Sequence, residues 1–179
     1  QAGLEPGVDV DVLTDERFNH MAGAFIGGEG DYTTLFEPTA TEVEQQGEGY
    51  VLASVGALAG EVPYTCYQVT RSALEEDRET IEAFLRAIYR AQKFVEESDA
   101  RTVAEALAPA FSDASIDTLE TVVLRYREIG AFATSPVMTE DAYERLLDIM
   151  EQAGELDARP PYAEIIQNSI AEQVMQEES

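Results

Sequence analysis

The residues able to do chemistry in this sequence are carboxylates, hydroxyls and aromatic rings, and several stand at the ends of short apolar segments. The run at 30–42, GDYTTLFEPTATE, is the clearest case. Residues 32–36 are β-branched and aromatic and follow the turn residues Gly30 and Asp31, so they read as a buried strand. Glu37 falls where that strand stops. Pro38 and Thr39 then open a helix, because the φ of proline is already set for a first turn. In an open α/β sheet, ligands bind beyond the carboxyl ends of the strands, where helix N-termini offer unpaired N–H groups. Glu37 is therefore a candidate contact that would accept hydrogen bonds from an amine or amidine-like group. Its alternative is a carboxylate that the helix dipole favours. Phe36 beside it is either a stacking surface or a core residue, and Thr39 lies at the same helix mouth.

Two further strand ends carry polar groups. Thr14, Asp15 and Arg17 close an apolar strand at 8–13, and Thr14 or Asp15 is either a ligand contact or a helix cap. Ser54 ends an apolar strand at 50–54 with the same two readings. Catalysis finds little support, and no catalytic residue is assigned. His20 is the only histidine and sits in the polar half of a helix at 18–25. Cys66 is the only cysteine; it excludes an internal disulfide, and in an apolar strand it reads as an inert core thiol. With one histidine and one cysteine, neither a metal site nor a cofactor is expected. Gly27-Gly28-Glu29-Gly30 is a helix stop and turn rather than a phosphate cradle.

The elements that must position these groups alternate at first. Strand 8–13, helix 18–25, strand 32–36, a helix from Thr39 to about Gln46 and strand 50–54 give a β-α-β-α-β order, which implies a small, mostly parallel sheet with right-handed crossovers. A loop at 56–63 leads to another strand at 64–70. From Ser72 onward only helices are predicted. Ser72 and Glu75 have capping-box spacing, and Ile81, Phe84, Leu85, Ile88 and Val95 form one stripe on a long helix. Shorter helices follow around Val103 and Leu107, around 116–126 with Gly130 as stop, from Thr139 to Gly154, and from Tyr162 to about Val174.

GDYTTLFEPTA, GYVLASVG (49–56), GEVPYTCYQVTRSALEED (60–77) and IEAFLRAIYRAQKFV (81–95) together resemble the substrate-binding proteins of bacterial ABC importers. The segments at 121–156 and 161–174 fit the C-terminal helices of the same family. The resemblance is to the group serving thiamine-pyrimidine precursors, nitrate, sulfonates and taurine. It implies a two-lobed periplasmic-binding-protein-like α/β fold of which this chain is the C-terminal portion. Residues 1–63 would belong to a partial second lobe. Residues 64–179 would be the crossover strand and the helices returning to a first lobe whose N-terminal half is missing. Tyr64 and Thr65 would then lie at the hinge and cleft wall. The implied partners are a small-molecule ligand, the permease subunits in the membrane, and either the missing lobe or a second copy of the chain. A periplasmic or extracellular location follows, with membrane association through the transporter or a lipid anchor. Two alternatives stay open: an effector module of a regulator, or a pyrimidine-synthesising enzyme of the same fold, whose lysine and histidines are not matched by Lys93 and His20.

Charge narrows the partners independently. With 36 acidic residues against 11 basic ones the net charge is −25, so nucleic acid would be repelled. The acids are spread over predicted helix faces, which fits a solvated surface and suggests a source living at high ionic strength. The chain begins at Gln1, has no apparent signal segment, and reads as a trimmed or processed piece. The helical stripes after Ser72 have no predicted strand to cover. They would collapse into their own bundle, pair with a second copy, or pack on the missing lobe.

Overall fold

The computed structural model describes residues 3–14 and 17–178. Among them every regular element is helical. A 3₁₀ turn, Phe18–His20, runs into α1 (Met21–Ile26), followed by α2 (Thr39–Gln45), α3 (Val55–Ala59), α4 (Arg71–Glu76), α5 (Arg78–Glu97) and α6 (Ala100–Leu107). After a second 3₁₀ turn, Ala108–Ala110, come α7 (Ile116–Glu128), α8 (Glu140–Gln152), α9 (Tyr162–Ile165) and α10 (Ser169–Glu177).

The expected α/β fold with a parallel sheet is thereby corrected. Segments 8–13, 32–36, 50–54 and 64–70 form no ladder, and the bridge recorded among the described residues joins Pro6 to Val10 within one local turn. Their composition suits strands, but a strand is completed only by a neighbour that pairs with it. None of the four supplies an edge to another. Their apolar side chains stay at the surface instead, as Val8, Val12, Tyr32, Leu52 and Tyr67 show. Cys66, expected in a core, is exposed for the same reason. The loop expected at 56–63 also differs, because α3 occupies its first half, started by Ser54, which accepts the N–H of Ala57 at 3.2 Å.

Helix boundaries after residue 70 follow local capping. Thr70, Asp99, Ser115 and Thr139 each accept the N–H three residues on and start α4, α6, α7 and α8. The first of these caps sits two residues before the predicted Ser72. Gly130 and Gly154, at φ 64 and 74, close α7 and α8 in the left-handed region that glycine adopts without strain. The single terminal helix predicted at 162–174 is split in two. Between α9 and α10, Asn168 turns its amide onto the backbone of Met138, accepting from N–H at 3.2 Å and donating to the carbonyl at 2.8 Å.

These helices pack on one another, although α5 has no fully buried residue and leaves Phe84 of its stripe 43% exposed. Ala100 and Val103 of α6 pack on Val123 of α7, with Val95, Leu107 and Phe132 around them. Tyr143 and Leu147 of α8 and Ile170 and Val174 of α10 are also buried. The end of α10 is pinned to α5 by charge: Arg86 bonds Glu177 at 2.5 Å, Arg90 holds Glu178 in a fork at 2.8 and 2.7 Å, and Lys93 donates to the Glu178 carbonyl at 3.1 Å. Lys93 is thus half-buried. Up to residue 70, by contrast, Thr41 and Val43 of α2 are the buried side chains among the described residues.

Candidate functional site

The corner formed by Phe36, Glu37 and the start of α2 is built as a charged joint with an aromatic edge. Glu37 lies just before α2. Its Oε2 accepts the Thr41 N–H at 2.9 Å, satisfying a first-turn donor of the helix. Its Oε1 faces Arg125 of α7 at 3.3 Å. Arg125 also donates to Thr41 Oγ1 at 2.8 Å and pairs with Glu44. The Glu37 N–H reaches the hydroxyl of Tyr126 at 3.4 Å. The side chain of Glu37 is only 9% exposed, so this carboxylate is chiefly a helix-start group held by an arginine. Two of its roughly four acceptor positions are used by these protein donors.

The electrostatics of this joint follow from its bonds. Glu44 accepts the Val51 N–H at 3.0 Å; that bond first, and Arg125 second, hold its carboxyl below the ordinary glutamate value. Burial works against the Arg125 cation, but the bonds to Glu44 and Glu37 outweigh it and raise the guanidinium's pKa. Burial also pushes the Tyr126 phenol up, with the Glu37 charge adding to it and the Glu37 N–H opposing. Two carboxylates around one guanidinium leave the joint formally anionic.

Beside this joint stands a row of three rings. The centroid of Phe36 lies 5.1 Å from that of Phe18 and 5.2 Å from that of Tyr64, with planes tilted by 49° and 57°. All three are open to solvent, at 61% for Phe18, 43% for Phe36 and 78% for Tyr64. Phe36 is therefore not a core residue. Of the sequence-predicted set, the structure brings Phe36 and Tyr64 together, with Glu37 and Thr39 alongside through the chain. Thr39 is half-buried as the first residue of α2. Thr14 and Thr65 are exposed, and no hydrogen bond joins them to the group among the described residues. The hydroxyl of Ser54 is used as the α3 cap. Asp15 lies outside the described residues.

Sequence reasoning missed three members. Phe18 begins the helix expected at 18–25, whereas it opens a 3₁₀ turn and its ring meets that of Phe36. Arg125 and Tyr126 come from a helix more than eighty residues away, and nothing local signals their meeting with Glu37. One cleft borders the joint and another lies on the far side of Tyr126's neighbour Arg127. The first, of about 260 Å³, is lined by Pro38, Glu42, Phe111, Ser112 and Asp113. The other, about 180 Å³, is lined by Gln92, Val95, Arg127 and Phe132, the last stacked edge-on against Tyr126 at 5.7 Å. His20 is exposed, and the described residues contain no group of three or more histidine, cysteine or acidic side chains placed to hold a metal.

A family model described as the NMT1-like family matches residues 1–108. The chain belongs to the NMT1-like family. A protein of Bacillus subtilis (strain 168) that carries the name binding protein YtlA is 36% identical over 174 residues, which is 97% of this chain and 52% of that relative. The chain thus spans about half the length of that curated relative. No solved structure matches it. NMT1-like membership and the relative's name point to a binding protein. The family match covers Phe18, Phe36, Glu37 and Tyr64, whereas Arg125 and Tyr126, which brace Glu37, lie beyond it.

Proposed function

We propose that this protein is the extracytoplasmic solute-binding component of an ABC importer, capturing a small nitrogen-bearing heteroaromatic molecule, aminopyrimidine-like, and delivering it to a permease. The observation that carries the ligand class is the pairing of the open Phe36 and Tyr64 rings with the anionic joint at Glu37. Rings supply a flat apolar face, and a few aimed polar groups supply orientation, which is the composition of small-molecule sites. An anionic joint favours an amine or amidine over nitrate or a sulfonate, whose charge a nearby carboxylate would oppose.

In this reading the site is one wall of a cleft. The opposite wall comes from polypeptide beyond this chain or from a second copy, as the exposed apolar segments before residue 71 and the half-length match to the relative suggest. Ligand binding then favours a closed arrangement that the permease recognises. The protein works outside the cytoplasm, in the periplasm or at the cell surface, held to the membrane by the transporter or a lipid anchor. No helix among the described residues is long and apolar enough to cross a membrane itself.

Thermal-shift screening against aminopyrimidines, aliphatic amines and sulfonates tests the ligand class. Aminopyrimidines are expected to raise the melting temperature most. Stabilisation by sulfonates alone overturns it.

A further inference from the structure

We draw no further inference here: the strongest candidate, the exposed apolar surface before residue 71 that includes Phe18, Phe36, Leu52 and Tyr64, carries nothing further because nothing in the structure shows what covers it.

Discussion

Val123 and Leu52 are both aliphatic residues in segments whose patterns predict burial, yet Val123 is 0% exposed and Leu52 is 75% exposed. The contrast extends to the regions they represent. Residues 71–178 fold their apolar stripes against one another, as α6 against α7 and α5 against α10, whereas residues 3–70 leave Val12, Tyr32, Tyr50 and Tyr67 at the surface. A helix satisfies its own backbone and needs only one neighbouring stripe to bury its face. An extended segment needs partners for its backbone as well as for its side chains. The later region therefore closes on itself, and the earlier one is open to whatever completes it.

Hydrogen exchange gives the sharpest way to break this comparison. Amides in the middle of α7 should exchange slower than those at 50–54 and 64–70 by roughly four orders of magnitude or more, since core helices open only with the whole fold. Equal protection in both regions would end the contrast. Leu119, 1% exposed in α7, comes next: Leu119→Ala should cost about 2–5 kcal/mol in urea unfolding. Leu52→Ala should change stability by less than about 0.5 kcal/mol.

Arg125 is a charged link between the regions, as is Arg145, which donates to the Glu61 carbonyl at 2.6 Å, and Arg125→Met asks how far one depends on the other. The expected loss is about 1.5–3 kcal/mol, because Glu37 and Thr41 would keep their burial without their cation. It should also raise exchange at 39–45 while leaving the α5–α10 contact unchanged.

The smallest effect concerns that contact. The bonds of Glu178 to Arg90, and of Glu177 to Gln173 and then Arg86, hold both carboxyls below the ordinary value of 4.5. A depressed folded value means that the stabilisation is complete above 4.5 and is lost as pH falls from there through the folded values. A pair of distance labels on α5 and α10 should report loosening below pH 4.5. Glu178→Gln should flatten that dependence, and a pH response unchanged in the variant would show that other groups carry it.

Legibility in the sequence followed range. Thr139, Gly130 and Gly154 act on their own turns, so the bounds of α7 and α8 could be read directly. The site was partly readable as well: Glu37 stands at a helix start, as its neighbours Pro38 and Thr39 indicated. The strands could not be read correctly, because β-branched and aromatic composition reports suitability for a sheet and not the presence of a partner. Arg125 was hidden for a related reason, since an ion pair across 88 residues has no local pattern. Phe18 was hidden by its setting, a short run rich in small residues in which one ring looks like the start of a helix face.

The aromatic row has a spectroscopic use. The chain contains no tryptophan. Phe18→Trp would therefore place a single indole emitter in a protein otherwise lit only by tyrosine, beside the Phe36 ring and open to solvent. Whatever comes to cover the Phe18, Phe36 and Tyr64 rings would then alter that emission, so its arrival could be timed by fluorescence without any attached label.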